Sequence, residues 1–212
     1  MDEHVSGGEL HLKLEFLQRT GSFKARGAVN NILTRDDVER EKGVTAVSAG
    51  NHAIAVAYAA NVLGVSAKVV MHRDANPARV AKCHAFGAEV VLVDDMTQAF
   101  PAMEEIAATE NRSVIHPFDG QATMQGTGTV GLEIAESIAD LDAVVVAVGG
   151  GGLIAGVGAA LKALQPSLTV YGVEPTGASG MSQSLSCGRF LDKVDVNTIA
   201  DSMGAPLHCA ES

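Results

Sequence analysis

Apolar positions along the chain switch repeatedly between two periods. The β-rich runs Thr45–Ser48, Ala67–Met71, Glu89–Val93, Ala143–Val148 and Thr169–Val173 are short and read as strands. His11–Phe16 alternates polar and apolar at every second residue and reads as a further strand. Helical runs fill the intervals: Phe23–Leu33, His52–Leu63, Pro77–Phe86, Gln98–Thr109, Gln121–Ile138, Leu153–Leu164 and Ala178–Ser186. Ser22 is placed to cap the first of these, and Pro77 suits a first helical turn. The charged run Arg35–Lys42 reads as a solvated helix or loop face. Strands and helices in alternation predict a three-layer αβα architecture with mainly parallel sheets. The section 44–120 holds its own complete set of βα units, so the expected division is a small α/β domain inserted at 44–120 into a large domain formed by 1–43 and 121–212.

Composition narrows the function classes. The chain has 212 residues, 47% of them hydrophobic, which is ample for a packed core. A formal net charge of -10 argues against a nucleic-acid or anionic-membrane partner, and 4% aromatic residues with no Trp leave no stacking platform for single strands. Cys83, Cys187 and Cys209 lack metal-ligand spacing and read as reduced thiols. The acidic start Met1-Asp2-Glu3-His4 has no basic or apolar signal-peptide stretch, so a cytoplasmic location is expected. Ala143–Leu161 carries no charge over 19 residues, long enough for a membrane span. Its six glycines, four consecutive at Gly149–Gly152, make it strand, tight loop and helix instead.

Three segments carry chemistry. Lys24 lies in the first turn of a predicted helix, at the positive end of its dipole, where a cation is disfavoured. Local field and burial push such an ammonium toward the neutral amine that attacks an aldehyde. A solvated lysine whose stem packs on the protein is the bland alternative. Gly149-Gly150-Gly151-Gly152-Leu153 follows the apolar strand Val144–Val148 and opens a helix, an arrangement in which backbone N–H groups cradle a phosphate; no Walker lysine is present. The same stretch fits a dinucleotide fingerprint at Gly150–Ala155, with Glu174 as the ribose-binding acid. Gly126–Gly131 repeats that spacing without a strand before it and reads as helix packing or a substrate-facing turn. Ser48-Ala49-Gly50-Asn51-His52 joins a strand to a helix at the end where open α/β sheets place ligands; its hydroxyl, amide and backbone N–H groups suit a carboxylate or phenolate oxygen, or simply an N-cap.

Together Ser22–Ala28, Ser48–His52 and Gly149–Leu153, with His116-Pro117-Phe118-Asp119 and Gln125-Gly126-Thr127, resemble the pyridoxal-phosphate enzymes of the tryptophan-synthase β fold, and among them threonine/serine dehydratases and serine racemase. The resemblance runs from about Leu12 to Ala205. It implies that Lys24 holds pyridoxal 5′-phosphate as a Schiff base and acts as the catalytic base. Phe23 would pack on the pyridine ring, Asn51 would bond its 3′ oxygen, and Gly149, Gly150, Gly151, Gly152 and Leu153 would bind the phosphate. Ser48, Asn51 and His52 would receive the carboxylate of a small amino-acid substrate. The implied reaction is α,β-elimination from L-threonine or L-serine, giving 2-oxobutanoate or pyruvate and ammonia. Racemase relatives carry serine where Ala49 stands, so little racemisation is expected. Metal-binding relatives resemble this chain at Glu174 and the Ala178 carbonyl, but Gly180 replaces their second carboxylate, so no metal is expected. Substrate preference is expected to depend on the pocket near Phe118 and Gln125. Family members often form homodimers and are longer at both ends, which makes an incomplete, non-catalytic fragment the main rival; a nicotinamide-binding module is another.

Overall fold

A computed structural model describes residues 8–191 and 193–209, so the acidic start read above lies outside the described residues. Helices α1 (Lys24–Leu33) and α2 (Asp37–Lys42) lead into a regular series: β1 (Val44–Val47), α3 (Asn51–Leu63), β2 (Ala67–His72), α4 (Pro77–Ala85), β3 (Glu89–Val93), α5 (Ala99–Glu110) and β4 (Ser113–Val114). The chain continues through α6 (Gln121–Ser137), β5 (Ala143–Ala147), α7 (Gly152–Leu164), β6 (Thr169–Val173) and α8 (Gly180–Cys187). A 3-10 turn at Asp201–Met203 belongs to the final segment.

Two parallel sheets result, one in the order β3-β2-β1-β4 and one pairing β5 with β6. β1 is buried along its whole length and β2 nearly so, which is why both read as continuous apolar runs rather than alternations. Helices lie on both faces of this sheet. On one side Val44, Ala46, Val69 and Met71 meet the alanine-rich α3 and the Ala28 and Ile32 side chains of α1. On the other, Val47 and Val70 meet Ala99 and Met103 of α5. Across the second sheet, Val146 packs with Val130 of α6 and with Val157 and Leu161 of α7.

Small residues let α6 run close to its neighbours. A Cβ at Gly131 would come within 2.8 Å of the Val157 carbonyl, and one at Gly128 within 3.3 Å of the Gly156 carbonyl. The Gly126–Gly131 repeat is therefore a helix-packing seam. Asn31 Nδ2 donates to Thr123 Oγ1 at 2.8 Å and Asn30 Nδ2 to the Ala122 carbonyl at 2.7 Å, tying α1 to α6.

Several expectations are corrected and others made definite. His11–Phe16 forms no strand: the alternating side chains find no sheet edge, Leu12, Leu14 and Phe16 are exposed, and Glu15–Leu17 is a single 3-10 turn. Ser22 does not cap α1; Phe23 is the N-cap, and the Ser22 hydroxyl is buried without a partner. The last helix starts at Gly180, after a 3-10 turn at Thr176–Ala178. The Arg35–Lys42 patch contains α2, opened by a reciprocal capping box between Asp36 and Glu39. The two-residue strand β4 exists through its pairing with β1. The uncharged run from Ala143 divides into β5, the glycine loop and α7, and no helix among the described residues is long and apolar enough to cross a membrane.

Candidate active site

Three helices begin at one cleft. Lys24 opens α1, Asn51 opens α3 after β1, and Gly152 opens α7 after β5. None of the three receives a side-chain cap: their N-cap positions are Phe23, Gly50 and Gly151. α2 and α4 are capped by Asp36 and Asn76, whereas α5 and α6 likewise lack a side-chain cap. The first-turn N–H groups of an uncapped helix lack intrahelical acceptors and add to the positive end of its dipole, so the cleft is built to receive anions. The cleft has a volume of about 560 Å³, and Ser48, Asn51, Phe23, Lys24 and Gly149–Leu153 all line it. This size lies in the ordinary range for small-molecule sites.

Lys24 behaves as its position implies. Burial holds its pKa down at about 8. Its Nζ donates to the Pro117 carbonyl, and Nζ stands 5.2 Å from the centre of the Phe23 ring. The carbonyl takes one N–H and leaves the lone pair of the neutral amine for an electrophile. In the sequence Pro117 appears only within the His116–Asp119 motif, without a role; a backbone carbonyl carries no residue-type signal.

The glycine loop is shaped by close contacts. Gly151 has φ 89°, in the left-handed region. A Cβ at Gly152 would collide with the Phe118 carbonyl, and one at Gly150 with the Phe118 ring, so Phe118 lies directly against the loop. Thr127 Oγ1 donates to the Gly152 carbonyl at 2.7 Å, fixing the start of α7 to α6.

His52 lines the cleft, with its side chain turned into the core. The imidazole is buried, its Nε2 donates to the Ile115 carbonyl at 2.8 Å, and burial, with the charge of Lys24, pushes its pKa down to about 3. The ring is neutral and Nε2 is spent on the core, so it does not offer a cation to a carboxylate. Ser48 Oγ accepts from Gly50 N at 3.1 Å, which shapes the loop and leaves its own proton to donate.

Glu174 is committed elsewhere. Its carboxylate accepts from Met181 N at 2.9 Å, Ser182 N at 2.8 Å and Ser182 Oγ at 2.6 Å, closing the start of α8. These bonds tie it to the start of α8, and it does not line the cleft at the glycine loop. Gln125 lines a separate polar groove with Asn31, Arg35 and His116, not the cleft, so only Phe118 of the two expected specificity residues faces it. The sequence reading missed Arg79 and the segment Asp201–Pro206, which also line the cleft.

A pyridoxal-phosphate-dependent enzyme family model matches residues 2–211. The chain is 51% identical over 204 residues to a phenylserine dehydratase of Ralstonia pickettii, covering 96% of this chain and 63% of that protein. It is 43% identical to the catabolic L-threonine dehydratase TdcB of Escherichia coli (strain K12), covering 92% of this chain and 59% of that one. Among solved structures, maize serine racemase superposes with a TM-score of 0.88 at 37% identity, over 91% of this chain and 59% of the racemase. The processed threonine deaminase isoform 2 of Solanum lycopersicum gives 0.89 at 38% identity, over 93% and 58%. The chain thus spans about 60% of the length of these relatives.

Proposed function

This chain belongs to the pyridoxal-phosphate-dependent enzyme family, and we propose that it is a dehydratase that removes water from β-hydroxy amino acids, L-threonine and L-serine, releasing ammonia and a 2-oxo acid. The observation that carries this reading is Lys24: an amine with a pKa near 8, opening a helix into a cleft between two strand-end loops.

The residues present fit the cofactor. A lysine whose pKa is lowered to about 8 reaches the neutral form that attacks an aldehyde more readily than an ordinary lysine, the uncapped first turn of α7 suits the phosphate, and the buried, unpartnered Ser22 hydroxyl beside Lys24 leaves a donor for a ligand group. When bound, pyridoxal phosphate supplies an electron sink for the charge left at Cα. Lys24 would take the α proton and pass it to the departing β-hydroxyl, which leaves as water, while Phe23 would pack on the cofactor ring and the Asn51 amide would hydrogen-bond its 3′ oxygen. Gly149–Leu153 holds its phosphate. The Ser48 hydroxyl and the amides of Asn51 and His52 orient the substrate carboxylate, the His52 contribution coming from its backbone. Ala49 offers no acid or base, so one face of Cα has no proton source and elimination outruns racemisation. In this reading 44–120 acts as a small domain against 1–43 with 121–212 and closes over the substrate. A cytoplasmic location and a homodimer accompany the reading.

A second reading, a non-catalytic portion of such an enzyme, is favoured by the length comparison and by the exposed outer face of β5 and β6. One experiment separates the two. Borohydride treatment of the protein with pyridoxal phosphate, followed by peptide mapping, is expected to place the adduct on Lys24, and incubation with L-threonine is expected to yield 2-oxobutanoate. An adduct without product supports the second reading. Absence of both overturns the site, as does an adduct that survives Lys24→Ala.

A further inference from the structure

Arg79 repeats the oddity of Lys24: a cation in the first turn of a helix, here α4, at the end where the dipole disfavours it. Its partners explain the placement. Nη1 donates to the Ala49 carbonyl at 3.4 Å, and both Nη1 and Nη2 reach Asp201 Oδ2, at 3.1 and 3.2 Å. Ala49 belongs to the loop after β1. Asp201 opens the 3-10 turn whose Met203 backbone packs against Gly149, and farther along the same segment Cys209 N donates to the Gly150 carbonyl at 2.9 Å. One guanidinium therefore links the Ser48–His52 loop to a strap lying on the glycine loop.

We infer that Arg79 and Asp201 form a latch across the mouth of the cleft that fixes the two loops in register, with Arg79 a positioning residue for the Ala49–Gly50 backbone. The side chains of the pair are 33% and 75% exposed, in a high-dielectric setting where an ion pair is weak enough to open and close. Opening it frees the strap and relaxes the loop, so access to Lys24 and the geometry of the first turn of α3 change together. Assigning carboxylate and phosphate to these loops rests on the proposed function; the latch itself does not.

Amide hydrogen exchange of the full 212-residue protein tests it. Arg79→Ala and Asp201→Asn are each expected to speed exchange at least about threefold in peptides covering 48–51 and 201–204, with β2 and β3 unchanged. Arg73→Ala, which cuts the Arg73–Asp94 pair at the end of β2, is expected to leave both peptides unchanged. Unaltered exchange at 48–51 in Asp201→Asn, whose exposed side chain makes it the safer variant, overturns the latch, as does an equal response to Arg73→Ala. In the cofactor-loaded protein, Arg79→Ala is expected to raise KM for L-threonine about tenfold with kcat within about threefold, and Arg79→Lys to recover part of the loss. A kcat loss with KM unchanged overturns the positioning role. Failure of the proposed function shows separately, as a missing Lys24 adduct in the unsubstituted protein.

Discussion

The two sheets build their active loops in opposite ways. The four-stranded sheet is closed: Val69, Val70 and Met71 are at most 1% exposed, and helices cover both faces. The two-stranded sheet is covered on one face, and its other face leaves Val145 66% and Tyr171 55% exposed. The loop after β1 presents side chains, Ser48 and Asn51. The loop after β5 presents backbone alone. A site that distinguishes substrates needs placed polar side chains, which a fully packed sheet holds in register. A phosphate cradle needs only N–H groups and close approach, which glycine supplies. Lys24 stands at the seam, on a helix packed into the closed core through Ala28 and Ile32 and bonded to α6 through Asn30 and Asn31.

The comparison predicts an asymmetric response to truncation. Met71→Ala is expected to cost about 2–5 kcal/mol in urea or thermal unfolding, because a buried side chain leaves a cavity. Val145→Ala is expected to stay within about 0.5 kcal/mol. Equal losses at the two sites would show that the second sheet is as well covered as the first.

A second prediction compares the loops themselves. Gly152→Ala forces a methyl into the Phe118 carbonyl and is expected to destabilise by about 1–3 kcal/mol and weaken pyridoxal phosphate binding, read by fluorescence titration. Gly50→Ala meets nothing closer than Arg79 Nη1 at 3.5 Å and has φ -134°, so its cost is expected to stay near that of a poorer cap, about 0.5–1 kcal/mol.

The third and smallest effect concerns the seam. Because burial lowers the Lys24 pKa to about 8, the neutral amine fraction falls about tenfold for each pH unit below that value. Reductive capture of pyridoxal phosphate at Lys24 is expected to rise with pH up to about 8 and then level off, whereas an ordinary lysine continues to gain up to about pH 10.4. The same shift has a stability sign. Between about pH 8 and 10.5 the unfolded chain binds the extra proton, so the ligand-free protein gains stability from this group as pH rises through that window. A capture rate still climbing at pH 10 would place Lys24 in water.

Much of this was legible along the chain. Five of the six strands now seen were marked by apolar runs flanked by breakers, and the three cleft segments by residue types that ordinary secondary structure does not need: a lysine at a helix start, four glycines after a strand, Asn and Ser at a strand end. Local periodicity and the first-turn dipole act over a few residues, so the sequence alone determines them. What tertiary structure decided were matters of partnership. His11–Phe16 has the alternation of a strand but no sheet edge, and the Arg35–Lys42 run, open between helix and loop face, became α2 only with its capping box. The direction of the His52 imidazole is set by Ile115, 63 residues away in sequence, which takes its Nε2–H, and the orientation of Glu174 is set by the backbone N–H groups of α8 that bond both its oxygens. The pKa of Lys24 likewise comes from burial, and the Arg79–Asp201 contact spans 122 positions. Burial and hydrogen-bond competition are set by which atoms meet in space, and only the folded chain brings those atoms together.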